Sequence, residues 1–163
     1  MIDEKVLQDL RACVKDSKWP LVLDEYPKNI HVNCLAFALG LTVPDPGENI
    51  YGYLGCISGI AQYNIEIGFT RDCEALGIHC RKISSEEECL EGEHLVKVYG
   101  FYFIHGPGYT YRDFHVIRRQ SDGTWIHKLE YGEPFEVITD WDAFHKEYSE
   151  SDAHLFAIRK EEP

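Results

Sequence analysis

The stretch His115-Val116-Ile117-Arg118-Arg119-Gln120-Ser121-Asp122-Gly123-Thr124-Trp125-Ile126-His127-Lys128 reads as two strands joined by a tight turn. Ser121-Asp122-Gly123 suits a three-residue hairpin loop, a type I turn followed by glycine in the left-handed region. That turn sets the register. Gln120 falls opposite Thr124, Ile117 opposite His127 and His115 opposite Leu129. Side chains at 115, 117, 127 and 129 then share one face, because alternate residues of a strand point the same way. His115 and His127 become diagonal neighbours, with α-carbons roughly 6–8 Å apart. A two-residue loop would put them on opposite faces.

Working outward, Asn33-Cys34-Leu35-Ala36-Phe37-Ala38-Leu39-Gly40 reads as a short buried helix opened by a cysteine and stopped by glycine. A thiol at a helix N-terminus feels the positive end of the dipole, which favours thiolate. A histidine brought from elsewhere in the fold can take its proton and return it to a leaving group. Cys34 and His115 thus carry the minimum machinery of a thiol hydrolase. The spacing of Val6, Leu7, Leu10, Cys13 and Val14 predicts a helix over Asp3 to Asp16. A second helix is expected over Ile57 to Leu76, ended by Gly77, and strands over Ile78 to Ile83 and Glu93 to His105. Phe114 to Arg119 and Thr124 to Leu129 form the hairpin. Phe135 to Ile138 and His154 to Arg159 are further strands, and Asp140 caps a short helix reaching Tyr148. Helices first and an antiparallel sheet afterwards is α+β organisation. The Pro- and Gly-rich run from Thr42 to Tyr53 is expected to be a loop and a wall of the site.

The 163 residues fit one domain, 1–163, able to bury a core. A net charge of −12 argues against nucleic acid, whose phosphates demand Lys and Arg, and against anionic membrane surfaces. The start, Met1-Ile2-Asp3-Glu4-Lys5, has no apolar signal region, and no stretch is long enough to span a bilayer. The expectation is a cytoplasmic protein, or one released or injected without a conventional signal peptide. The six cysteines include no Cys-x-x-Cys pair. Free thiols in a reducing compartment are expected, with Cys13, Cys56 and Cys73 buried as small hydrophobes. No metal and no cofactor is expected, even though His79 stands between Cys73 and Cys80.

The Asn33–Gly40 block and the Phe114–Lys128 block together resemble the papain-like cysteine peptidases of the NlpC-like and CHAP-like branch. More narrowly, they are similar to a group of microbial proteins with an Asn-Cys-Tyr-Ala-Tyr-Ala-Leu block and a later His-x-Tyr-Arg-Gln-x-x-Asp-Gly-x-Trp-x-His-Lys block. The resemblance implies a nucleophile helix packed on an antiparallel sheet. It implies Cys34 as nucleophile, His115 as general base and His127 as the residue that orients it. This chain departs from the pattern after Lys128, reading Leu129-Glu130-Tyr131-Gly132 where a Pro-Gly turn is usual. Glu130 or Asp113 could therefore hold the third position instead.

The backbone N–H of Cys34 would supply half of an oxyanion hole. Asn33, His31 or Asn29 would supply the other half. Trp125, beside His127, is the candidate aromatic contact for substrate, and Tyr51, Tyr53, Tyr109 and Tyr111 are candidates for an aromatic wall. His79, His94, His145 and His154 are given no role. The expected activity is hydrolysis of an amide or isopeptide bond in a peptide or protein through an acyl-thioester. The alternatives are a deamidase or transglutaminase-like transferase acting on a protein glutamine, and a non-catalytic peptide-binding module on the same scaffold.

Overall fold

A computed structural model describes residues 2–19, 21, 23–27, 30–45, 50–52, 54–59, 64–104, 110–129 and 134–161, with side chains at all of these except 102–104 and 110–112. Helix α1 spans Glu4–Asp16. Asp3 opens it, its side chain accepting the Lys5 N–H at 2.8 Å. Leu10 and Val14 lie one turn apart on its buried face. Helix α2, Cys34–Ala38, is five residues long and wholly buried. It stops because Gly40 turns the chain with φ +72.

The second long helix is shorter than the periodicity predicts. Helix α3 runs Ile65–Ala75, and Asn64 caps it by accepting the Ile67 N–H at 3.1 Å. Of the expected N-terminal part, residues 57–59 form turns and 60–63 lie outside the described residues. Over residues 54–59 the chain forms turns instead of helix. Asp72 on α3 reaches back to these turns and accepts the Gly55 N–H at 2.7 Å and the Ser58 N–H at 3.0 Å. Gly68 permits the close approach. A β-carbon there would stand 2.9 Å from Leu54 Cβ and 3.2 Å from the Leu54 carbonyl carbon. Gly68→Ala is expected to lower stability by about 1–3 kcal/mol, read as a shift of the urea midpoint at constant slope.

Six strands follow: β1 Ile78–Ile83, β2 His94–Ile104, β3 Thr110–Arg119, β4 Trp125–Lys128, β5 Phe135–Val137 and β6 Ala153–Lys160. They make one antiparallel sheet in the order β1-β6-β2-β3-β4-β5. Helix α4, Trp141–Glu147, lies between β5 and β6 in the chain and is capped by Asp140. The class is α+β, as expected.

The β3–β4 hairpin has the predicted register. Arg118 pairs with Ile126 and Arg119 with Trp125, the Gln120 N–H bonds Thr124 O at 2.7 Å, and Gly123 takes φ +90. Alternation then divides the core into two. Val96, Val98, Val116, Ile126, Phe156 and Ile158 pack with residues of α1, α2 and α3. Tyr99 and Ile117 pack on the other face with Phe144 of α4 and with Tyr148. Phe37 of α2 stacks on Phe135 of β5, with centroids 5.3 Å apart and planes 11° apart, which holds the short helix against the end of the sheet.

Candidate active site

Asn33 places the cysteine. Its Oδ1 accepts the Ala36 N–H at 3.2 Å and its Nδ2 donates to Tyr51 O at 2.9 Å. The amide is thus committed at both ends, to starting α2 and to tying it to the 50–52 turn. In this structure its side chain caps α2 and ties it to Tyr51. Asn29 lies outside the described residues.

Cys34 is 5% exposed. Burial pushes its thiol up to about 12, helped by the Asp113 carboxyl and opposed by the backbone N–H groups of Val116, Leu35 and Cys34. The expectation of an activated thiolate is corrected here. A five-residue helix carries little dipole, and desolvation outweighs it. The resting thiol is protonated.

His115 stands on β3 opposite Tyr99 of β2. Its ring stacks on Tyr148, with centroids 4.3 Å apart and planes 14° apart. His115 Nε2 and His127 Nδ1 are 2.8 Å apart, so the two histidines that the hairpin register predicts to be neighbours are bonded. His127 Nε2 lies 3.0 Å from Glu136 Oε1. Glu136 faces His127 directly across the β4–β5 pair. Burial, then His127, drives the His115 pKa down to about 3. Burial lowers that of His127 as well, against the pull of Glu136 and Glu147. Both rings are neutral near pH 7.

The carboxylate then sets the protons. Glu136 is an acceptor, so His127 carries its proton on Nε2 and presents a bare Nδ1. That nitrogen accepts the Nε2–H of His115. The remaining nitrogen of His115, Nδ1, keeps its lone pair. A buried imidazole held by its far nitrogen, with the near one free to take a proton, is the arrangement a general base needs.

The structure does not join this relay to the thiol. Among the described residues no hydrogen bond links Cys34 and His115. Cys34 belongs to the core cluster that contains Val116 and Ile126, whereas the His115 ring packs on the α4 side with Tyr148 and Phe144.

Glu136 is the member that sequence reasoning missed. Phe135 to Ile138 was legible as a strand, but nothing local says which of its residues meets His127. The alternatives do not fill the place: Glu130 lies outside the described residues, and Asp113 Oδ1 accepts the N–H of Phe114 at 2.8 Å. Trp125, expected at the substrate, instead packs against the Tyr99–Phe144 cluster, and its carbonyl accepts the Ile138 N–H at 2.8 Å. Tyr51, expected on a cleft wall, is 0% exposed and donates to Val43 O at 2.5 Å. Tyr53 and Tyr109 lie outside the described residues, as does the side chain of Tyr111.

Two clefts among the described residues open elsewhere. One, of about 420 Å³, lies between α1 and residues 17–26, and the other, of about 490 Å³, lies beside Trp19. All six cysteines are free thiols. The described residues contain no group of three His, Cys, Asp or Glu side chains placed to hold a metal ion. No helix among them is long and apolar enough to cross a membrane. Compared with protein-family profiles, with curated proteins and with solved structures, the chain shows no match.

Proposed function

We propose that this chain is a papain-like thiol hydrolase that cleaves an amide or isopeptide bond of a peptide or protein. Cys34 is the nucleophile and His115 the base, with His127 and Glu136 as the residues that orient it. The observation that carries the reading is the His115–His127–Glu136 relay. Its bond order leaves His115 Nδ1 unprotonated, as a general base requires.

The resting thiol and imidazole are both uncharged, so proton transfer accompanies attack. The Sγ proton moves to His115 Nδ1 as the Sγ–C bond forms. The tetrahedral oxyanion draws on the N–H groups at the head of α2. The imidazolium returns that proton to the departing amine as the C–N bond breaks. Water then repeats the sequence on the thioester and frees the acid. Cys34 lies in the α1–α3 layer and the His115 ring in the α4 layer, so this reading requires a rearrangement in the substrate complex that brings Sγ to Nδ1.

A second reading is favoured by one specific observation. The Cys34 thiol is buried, protonated and not bonded to His115, which suits a non-catalytic binding module on the same scaffold. Covalent trapping separates the two. The folded chain is treated with a panel of peptidyl vinyl sulfones and acyloxymethyl ketones, and adducts are mapped by mass spectrometry. The hydrolase reading expects modification at Cys34 that is lost in His115→Ala. Labelling confined to the partly exposed Cys13, Cys56, Cys80 and Cys89 sinks it and leaves the binding module.

A further inference from the structure

Arg118, on β3, has its guanidinium in the interior and is 0% exposed. Its Nη1 donates to Ala38 O, at the end of α2, at 2.8 Å. Its Nε and Nη2 find no acceptor among the described residues. Among the described residues no carboxylate bonds it, and burial lowers its pKa to about 9. A guanidinium does not escape by losing its proton at ordinary pH. A buried cation with no counter-charge is costly, and an anionic ligand is one way to compensate it.

The surroundings of Arg118 are basic in a chain whose net charge is −12. The ring of Trp19 lies 4.6 Å from Arg118 Cζ, and Lys160 Nζ lies 5.8 Å from the same ring. His94 meets Trp19 edge-on at 5.5 Å. Arg118 and Lys160, together with burial, hold the His94 pKa down near 4. Trp19, His94, Arg159 and Lys160, with Glu91 and Gly92, line the cleft of about 490 Å³. Trp19 Nε1 is a further buried N–H without an acceptor. Against these donors stand the carboxyl groups of Glu91, on the cleft wall, and of Asp16, near Lys160.

We propose that this cleft binds an oxyanion, a phosphate or carboxylate group, with Arg159 and Lys160 at its mouth, Trp19 as its wall and Arg118 behind the indole as the buried counter-charge. Arg159 and Lys160 bring a guanidinium and an ammonium to the cleft, which match a group that offers several oxygens, and Arg118 adds its charge from behind Trp19. The cleft shares no residue with Cys34 or with the His115–His127–Glu136 relay. The competing explanation is structural: Lys160 donates to Ser17 O and Lys15 O, at the end of α1, and Arg118 donates to the end of α2.

The test titrates the full chain with inorganic phosphate, and separately with succinate, at an ionic strength held constant with chloride. The Trp19 indole N–H resonance and the melting temperature are followed. A saturable shift of both is expected. Affinity is expected to weaken about tenfold or more in Lys160→Gln and in Arg118→Met. Saturation by phosphate alone identifies a phosphoryl group, and saturation by succinate a carboxylate. Arg159→Gln and Lys160→Gln, at the rim, keep the test valid if Arg118→Met fails to fold. A response that rises linearly, that chloride reproduces, or that the rim variants leave unchanged overturns the proposal and makes these cations clamps on α1 and α2.

Discussion

The His115→Ala variant is expected to slow acylation of Cys34 by an activated acyl donor by about 10²–10⁴-fold, the usual worth of a positioned base. The expectation follows from the charge states. The thiol is pushed up to about 12 and so is protonated at pH 7. Without a base, only a vanishing fraction is nucleophilic at any moment. His115 offers its lone pair on Nδ1 because Nε2 is spent on His127, and His127 is fixed in turn by Glu136.

The relay grades the variants. His127→Ala frees the His115 ring to adopt either tautomer, and a loss of about 10²-fold is expected. Glu136→Gln keeps an acceptor oxygen and costs little, whereas Glu136→Leu removes it and falls toward the His127→Ala value. A nitrogen NMR spectrum of the imidazoles provides a readout independent of turnover. It should place the protons on Nε2 of both histidines in wild type and mix the tautomers in Glu136→Leu. Equal acylation rates in wild type and His115→Ala would rule out the base. Unmixed tautomers in Glu136→Leu would rule out the part given to the carboxylate alone.

Acidification from pH 6.5 to pH 4 is expected to remove about 3 kcal/mol of stability through His115 alone. The sign follows from linkage. The folded state holds His115 neutral, with its pKa lowered from 6.5 to about 3. The stability this gives is complete above pH 6.5, where the unfolded ring is also neutral. It is lost as pH falls toward the folded value, because the unfolded chain takes up the proton first. His94, lowered to about 4, acts in the same direction.

Asp72 acts in the opposite direction. Burial raises its pKa from 3.8 to about 6, against the Gly55 and Ser58 N–H groups that hold its carboxylate. Its contribution is present below pH 3.8 and lost as pH rises through 6, so acid returns part of what the histidines forfeit. Urea unfolding at a series of pH values measures the balance. His115→Gln should flatten the acid loss, and Asp72→Asn should steepen it. A wild-type stability that rises steadily from pH 6.5 to 4 would mean that His115 is not held neutral in the fold.

Several features of this molecule are local in origin and were readable from the chain. The Ser121-Asp122-Gly123 turn fixes a register, and that register alone brings His115 and His127 to one face. Gly40 ends α2 because only glycine takes its left-handed backbone cheaply, and Asp140 caps α4 through its own side chain. Helix α3 shows where local reading stops. Apolar spacing from Ile57 onward fits a helix, yet Asp72 supplies acceptors that stabilise a loop over residues 55–58, and a partner in another element is invisible to periodicity.

The electrostatics were less legible. A cysteine at a helix start suggests a lowered pKa, but the sign here is decided by how much water the surrounding layers exclude. The same holds for His94. It has no sequence neighbour to suggest a role, and its environment is made by Arg118 and Lys160 from two other strands.

By itself, then, the sequence determined the α+β class, the short helix that Cys34 opens and the hairpin that joins two histidines, since each rests on turn, cap and alternation energies within a few residues. Only the tertiary structure decided that Glu136 completes the relay, that Cys34 is protonated and apart from His115, and that Arg118 is buried with no carboxylate bonded to it among the described residues. Those outcomes depend on strand pairing and desolvation between segments far apart in the chain, and no local energy encodes them.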